Sequence, residues 1–269
     1  MIERIQSKVL RETWRRGRRG VPFQQETTYI ERDSNWYEPF LAGPSTLMEE
    51  CRSAETISEV MKVLKLLTPD RFVEFSLAYY QTGLERFGAR WKYADILTVL
   101  LGICRQIRVR SYLEIGVLRG RSMAIVAAMC PEVTMVGFDK WISGYAGIEN
   151  SGPEFVQGQL KKVGHQGRLE LISGESRITV PRYFREHPES YFDLISVDGD
   201  HSAAGATTDL RNVIPHLKIG GLLVFDDICN PYHPRLRRIW ERHVARSPRF
   251  ATAVFDELGY GVGFAIRKY

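Results

Sequence analysis

The sequence predicts an α/β protein with a doubly wound, mostly parallel β-sheet and a helical N-terminal extension. From residue 112 onward, short apolar runs alternate with segments of helical periodicity, which is typical of a parallel sheet with helices on both faces. Between about residues 53 and 110 the apolar side chains recur only at helical spacing. Near the C-terminus, two apolar runs flank a short glycine-containing turn, which predicts an antiparallel hairpin at the sheet edge.

The elements follow in a regular order. Ile57, Val60 and Leu64 define the apolar face of a first helix, Pro69-Asp70 marks the start of a further one, and Ile96, Val99, Leu100 and Ile103 define another. Five strands are predicted at 112–115, 134–138, 169–172, 192–197 and 222–225, and the hairpin strands at 252–255 and 261–266.

Composition excludes several protein classes. The 269 residues are 44% hydrophobic and 26% charged, which is ordinary for a globular chain, and no apolar run approaches the roughly 18 residues of a membrane span. The four cysteines form no CxxC pair and sit mostly among apolar neighbours, which indicates small core residues rather than disulfides or a zinc site.

The net charge of +5 is confined to residues 1–20, where seven basic side chains outnumber two acidic ones. The remaining chain is balanced, so the charge indicates a basic arm and not a basic domain. This arm lacks the apolar core of a secretory signal, and we expect a cytoplasmic location. The predicted organisation is therefore a basic arm at 1–20, a helical extension at 21–92 and an α/β domain at 93–269.

The first strand leads into the sequence Glu114-Ile115-Gly116-Val117-Leu118-Arg119-Gly120-Arg121-Ser122 and then a helix at 123–129. Gly116 and Gly120 allow a tight turn and close approach of a ligand, beside the helix N-terminus. Leu118 and Arg121 replace the second and third glycines of a dinucleotide fingerprint, and no phosphate-binding Gly-Lys-Ser/Thr occurs.

Acidic side chains at the ends of the first three strands indicate which class of ligand this site would bind. Glu114 would repel a phosphate but suits an amino group or hydroxyls, and Asp139, at the end of the second strand, can accept from both ribose hydroxyls. Glu175 and Ser176 follow the third strand, where they can contact the edge of a purine ring. A cationic nucleoside without phosphates fits this set better than NAD.

On these residues, from Glu114-x-Gly116-x-x-x-Gly120 to Asp139, the chain resembles the class I S-adenosylmethionine-dependent methyltransferases over about residues 93–269. The resemblance implies a Rossmann-like seven-stranded sheet with an antiparallel C-terminal strand. It also implies S-adenosylmethionine as cofactor, with Glu114, Gly116, Gly120, Ser122, Asp139, Glu175 and Ser176 at its site.

A second set of acids follows the fourth and fifth strands. Asp198, Asp200 and His201 come after the fourth, and Asp226 and Asp227 after the fifth. Carboxylates that converge at adjacent strand ends repel one another unless a cation or protons compensate, and oxygen ligands favour Mg²⁺ over zinc. The alternative is structural: one of the pair Asp226 and Asp227 caps the next helix and Asp200 faces water.

The pattern Asp198-x-x-His201 with the paired acids Asp226 and Asp227 also resembles metal-using sugar O-methyltransferases related to macrocin O-methyltransferase. That resemblance implies Asp198, Asp226 and Asp227 as Mg²⁺ ligands, His201 as base with Asp198 beside it, and a small-molecule acceptor such as a sugar. Ala203 and Ala204 replace the aromatic and acid that usually follow. His233 in Asn230-Pro231-Tyr232-His233-Pro234 is a second candidate base.

Other interpretations stay open. The loop at 140–153, with Trp141 and Tyr145, is either an aromatic lid or a segment packed on the sheet. A metal-independent methyltransferase with another acceptor is the main alternative function. A nucleic-acid-binding arm is disfavoured because Trp14 is its one aromatic residue. A homo-oligomer is compatible with the sequence.

Overall fold

The computed structural model describes residues 42–147, 149 and 152–269. The predicted basic arm at 1–20 and the start of the extension at 21–41 lie outside these residues. No helix within the described ranges is long and apolar enough to cross a membrane.

Within the described residues, four α-helices of the extension and its junction precede the sheet, and side chains cap the starts of three of them. Ser53 accepts from the Thr56 amide, Asp70 from the amides of Phe72 and Val73, and Asp95 forms a reciprocal capping box with Thr98. The helices are α1 (Pro44–Cys51), α2 (Ala54–Leu64), α3 (Arg71–Phe87) and α4 (Ile96–Gln106). Pro69 precedes the cap of α3 and is not in its first turn as predicted, because Asp70 occupies the N-cap.

The rest of the chain is a seven-stranded sheet flanked by helices. The strands are β1 (Ser111–Ile115), β2 (Thr134–Asp139), β3 (Leu169–Ser173), β4 (Phe192–Val197), β5 (Leu217–Asp226), β6 (Phe250–Phe255) and β7 (Val262–Arg267). The helices are α5 (Arg121–Met129), α6 (Gly152–Lys162), α7 (Ser176–Glu186), α8 (Ala203–Val213) and α9 (Leu236–Trp240), which continues as a π-helical turn over Glu241–Ala245.

The strand order is β3-β2-β1-β4-β5-β7-β6, with β1 to β5 parallel and β7 antiparallel to both β5 and β6. The predicted α/β fold, seven strands and antiparallel last strand are thus confirmed. The chain reverses its direction of travel across the sheet between β3 and β4, so the crevice beside β1 and β4 is where a doubly wound sheet binds its ligand.

Two apolar layers cover the sheet. One contains the faces of α2, α4 and α5, and the other is formed by the helices from α7 to α9. Tyr112, Phe138, Trp240 and Phe264 are among the largest side chains that are completely buried. This core holds the strand ends in fixed positions, so the loops that follow them share one rigid edge.

Candidate active site

The loop after β1 and the end of β4 meet at the carboxyl edge of the sheet. Gly116 has a φ of +90°, and a Cβ at this position would lie 1.9 Å from the carbonyl oxygen of Asp198. A side chain therefore cannot be accommodated at residue 116 while Asp198 keeps its place. The first predicted glycine is required by the contact between two site loops.

The segment from residue 116 to residue 120, which we call the glycine loop, contains a strained residue. Leu118 has a φ of +51°, which is unfavourable for a side chain with a Cβ, and Gly120 follows at +75°. The amide of Leu118 donates to Asp139 Oδ2 at 2.7 Å, and the amide of Trp141 donates to Oδ1 of the same carboxylate at 2.6 Å. Asp139 thus joins the glycine loop to the segment after β2.

Glu114 is fully buried beneath this loop. Its Oε2 accepts from the Tyr112 hydroxyl at 2.8 Å, and its Oε1 accepts from the Ser122 hydroxyl. Burial raises the pKa of Glu114 to about 8, and the hydroxyls of Ser122 and Tyr112 oppose that shift. Near neutral pH, Glu114 is therefore mostly an uncharged acid whose carboxyl group is held by two hydroxyls.

Glu175 and Ser176 lie after β3, at the start of α7. Glu175 is solvent-facing and pairs with Arg177, and the Lys140 Nζ lies 3.7 Å from its Oε1. The hydrogen bond from Arg177 lowers the pKa of Glu175. Ser176 is buried beside Asp209, where burial raises the pKa of Asp209 to about 6 and the Ser176 hydroxyl opposes the shift.

A compact cluster of ionisable groups follows β4 and β5. One ligand atom each from Asp198, His201 and Asp227 lies within 4.8 Å of the other two. His201 Nε2 is 3.2 Å from Asp198 Oδ1 and 3.6 Å from Asp227 Oδ2. The hydrogen bond with Asp198 raises the pKa of His201, and burial followed by repulsion from Asp198 raises the pKa of Asp227.

Asp226, the last residue of β5, lies beside the cluster but is not one of its three members. Burial and then repulsion from Asp198 and Asp227 raise its pKa well above the ordinary range of aspartate. Asp227 itself has a φ of +60°, and Asn230 Nδ2 donates to its Oδ2 at 3.0 Å. The turn after β5 thus aims Asp227, and not Asp226, at His201.

Known proteins share both the sequence signature and the fold. Residues 113–228 match the family model described as Methyltransferase domain. The O-methyltransferase TomG from Streptomyces achromogenes, solved with S-adenosylmethionine, is 19% identical, with a TM-score of 0.52 over 80% of this chain and 90% of that one. Residues 113–228 are thus similar to a methyltransferase domain, and TomG shares the fold of the sheet. No curated protein sequence matches it.

Two further solved methyltransferases have the same fold, at a similar sequence identity and TM-score. The calicheamicin methyltransferase CalS11 is 18% identical, with a TM-score of 0.51 over 90% of this chain and 99% of that one. An O-methyltransferase from Bacillus cereus in complex with S-adenosylhomocysteine is 16% identical, with a TM-score of 0.51 over 80% and 91%. The fold therefore accounts for nearly the full length of these enzymes.

The residues predicted to bind S-adenosylmethionine are not equally available to a ligand. Asp139 and Glu175 are partly exposed, whereas Glu114 and Ser122 are buried and bonded to each other. The roles of all these residues at the donor stay predictions. Ser122 acts in the structure chiefly to hold Glu114.

Three further residues that the sequence singles out, His233, Tyr145 and Trp141, have contacts or charged neighbours at this edge. His233 lies with its ring centroid 4.9 Å from that of His201. Burial and then the charges of Asp198 and Asp227 raise the pKa of Tyr145, which belongs to the 140–153 loop. Trp141 Nε1 donates to Ser173 Oγ at 2.8 Å, which anchors the start of that loop on β3. Of this loop, residues 148, 150 and 151 lie outside the described part of the chain.

Proposed function

We propose that the enzyme transfers the methyl group of S-adenosylmethionine to a hydroxyl of a small molecule, a sugar of a glycosylated metabolite, with assistance from Mg²⁺. The observation that carries this proposal is the cluster of Asp198, His201 and Asp227 directly beside the glycine loop, where Asp198 abuts Gly116. A donor held by that loop would place its reactive end next to the three side chains.

The side chains of the cluster are suitable ligands for a hard divalent cation. Asp198 and Asp227 are about two-thirds or more shielded from solvent and both approach His201 Nε2, and their mutual repulsion raises the pKa of Asp227. A bound cation would remove this repulsion, and carboxylate oxygens are the ligands that Mg²⁺ prefers. Asp198 and Asp227 would hold the ion with Asp226 as the third acid. When bound, it would polarise the acceptor oxygen and favour its deprotonated form.

His201 is the residue that we assign as the base. Its imidazole lies against Asp198, which orients the ring and stabilises the protonated form after proton uptake. The acceptor hydroxyl loses its proton to His201, and its oxygen attacks the methyl carbon of the sulfonium as the carbon–sulfur bond breaks. S-adenosylhomocysteine is the other product. His233 is the nearest alternative base.

The choice of a sugar acceptor rests on chemistry and on one structural neighbour. An aliphatic hydroxyl is a weak nucleophile, so it needs the base and cation that this cluster can supply. CalS11 is described as a TDP-rhamnose 3′-O-methyltransferase, at 21% identity and a TM-score of 0.51. That activity of a protein with the same fold, together with the acidic cluster of this chain, leads us to propose a sugar hydroxyl as the acceptor.

The test combines metal depletion with conservative variants. A panel of nucleotide sugars and glycosylated metabolites is incubated with the full chain and a donor labelled on the methyl group, and the position of the label is read by mass spectrometry. Activity should vanish with chelator and return with Mg²⁺. Asp227→Asn should abolish activity yet keep the backbone, because asparagine tolerates the left-handed region.

Controls separate the competing functions. Asp256→Asn changes an exposed acid that pairs with Arg237 outside the cluster, and its activity should equal that of the wild type. Asp226→Asn should lose activity while S-adenosylhomocysteine affinity stays nearly intact. Methyl transfer that persists in chelator would instead support the metal-independent alternative, and label on an amine or carboxylate would reject the hydroxyl acceptor.

A further inference from the structure

A nearly buried ion pair joins the glycine loop to the helical extension. Arg119 Nε lies 2.7 Å from Asp70 Oδ2, and each side chain is only 10% exposed. The other carboxylate oxygen, Oδ1, accepts from the amides of Phe72 and Val73 and so caps α3. One carboxylate therefore fixes both the start of α3 and the side chain of a residue in the loop.

The same guanidinium contacts two further segments. Arg119 Nη1 donates to the carbonyl oxygen of Glu149 at 2.7 Å. The guanidinium carbon also lies 4.0 Å from the centre of the Phe155 ring on α6, a cation–π geometry. Arg119 is thus fixed by the extension, by the chain after β2 and by α6.

The backbone beside Arg119 needs this support. Leu118 occupies the left-handed region, where a leucine is unfavourable and persists only if its surroundings hold it. On one side, Asp139 accepts from the Leu118 amide. On the other side, the next residue is Arg119, whose side chain is anchored as described. The strained turn is therefore held from both sides.

We propose that Arg119, anchored by Asp70, is a positioning residue that holds the glycine loop in its donor-binding shape. This inference rests on the proposed function, since the methyl donor is the ligand of that loop. A loop that is already ordered binds its ligand without the entropy cost of ordering, so loss of the pair should weaken donor binding. The helical extension then contributes to donor affinity through α3.

The experiment measures S-adenosylhomocysteine affinity by calorimetry on the full chain, alongside the thermal midpoint. Asp70→Asn keeps a good N-cap for α3 but turns an amide N–H₂ toward the guanidinium. Arg119→Gln removes the charge. Each variant should weaken binding by about tenfold, and the double variant should be no weaker than the weaker single one, because both remove the same interaction. Arg119→Lys should fall between wild type and Arg119→Gln.

Glu50→Gln is the matched control. It removes the pair of Arg105 Nε and Glu50 Oε1 at 3.1 Å, which joins α4 to α1 and includes no residue of the glycine loop. Its S-adenosylhomocysteine affinity should stay within about twofold of the wild type. A lowered thermal midpoint with unchanged affinity in the Asp70 and Arg119 variants would show a purely structural pair and overturn the inference.

Two other outcomes are also decisive. Additive losses in the double variant would show that Asp70 and Arg119 act independently, which likewise overturns the inference. A wild-type chain that binds neither S-adenosylmethionine nor S-adenosylhomocysteine would reject the proposed function itself, a result distinct from equal binding by wild type and variants. If Arg119→Gln does not fold, Arg119→Lys supplies the comparison.

Discussion

Glu114→Gln tests whether the buried acid beneath the glycine loop is uncharged. The amide copies the protonated acid, since both offer one acceptor and at least one donor to the hydroxyls of Tyr112 and Ser122. In the unfolded chain Glu114 ionises near its ordinary pKa of 4.5, whereas in the folded protein burial raises its pKa to about 8. Between pH 4.5 and pH 8, folding is therefore coupled to the uptake of a proton by Glu114.

The sign of the effect on stability follows directly. As the pH rises from 4.5 to 8, the unfolded state is increasingly favoured by ionisation, so wild-type stability falls through this window and levels off above it. The difference between the two pKa values corresponds to roughly 5 kcal/mol of unfolding free energy. Glu114→Gln has no such proton and should be close to wild type at pH 5 but more stable by several kcal/mol at pH 9, on the order of that figure.

Urea unfolding followed by tryptophan fluorescence at pH 5, 7 and 9 measures this difference. Glu154→Gln, at an exposed position on α6, is the control and should keep the pH dependence of the wild type. Parallel pH curves for wild type and Glu114→Gln would refute the reasoning. A cationic donor favours the ionised acid, so donor binding at pH 7 should also release protons, seen as a binding enthalpy that depends on the buffer.

Three further variants test the edge of the sheet, and a fourth, in α6, is a control. Gly116→Ala should destabilise the fold by roughly 3 kcal/mol or more in urea unfolding, because its Cβ would clash with the Asp198 carbonyl. Gly158→Ala, with open space in α6, should gain about 1 kcal/mol instead. Asp139→Ala should raise the S-adenosylhomocysteine dissociation constant at least about tenfold, and an unchanged constant would remove it from the donor site. His201→Gln should lower kcat by about 100-fold or more at unchanged donor affinity; full activity would assign the base to another group such as His233.

The sheet and the location of the site could be predicted because both depend on local patterns. Alternating apolar runs and helical segments define the parallel strands, and the residues after those strands must share one edge. The start of β5 was missed, since the prediction began at 222 whereas the strand begins at Leu217. Lys218, Gly220 and Gly221 interrupt the apolar pattern there, and Gly220 has a φ of +83°.

The partners of the site residues could not be predicted, because they depend on contacts between distant segments. Asp70 and Arg119 are 49 residues apart, and neither carries a local signal beyond a helix cap. Glu114 is predicted at the donor, but the sequence does not show that Tyr112 and Ser122 enclose it. The sequence also does not show that His201, predicted as base, lies closer to Asp198 and Asp227 than Asp226 does.

Residues with a strained backbone also lie at the carboxyl edge of the sheet, and this observation does not depend on side-chain chemistry. Among the residues that the structure describes, three non-glycine residues have a positive φ: Leu118, Trp141 and Asp227. They follow β1, β2 and β5, and conformations of this kind cost on the order of 1–3 kcal/mol each unless neighbouring groups over-determine them. Asp139 accepts from the amides of Leu118 and Trp141, and Asn230 donates to Asp227, so each strained turn has a hydrogen bond in place. The core shows no such strain at non-glycine residues in the described chain, although strain would be easiest to avoid there. The strained residues are concentrated where the methyl donor is expected to bind. This indicates that the three turns are retained because they position the residues of the site.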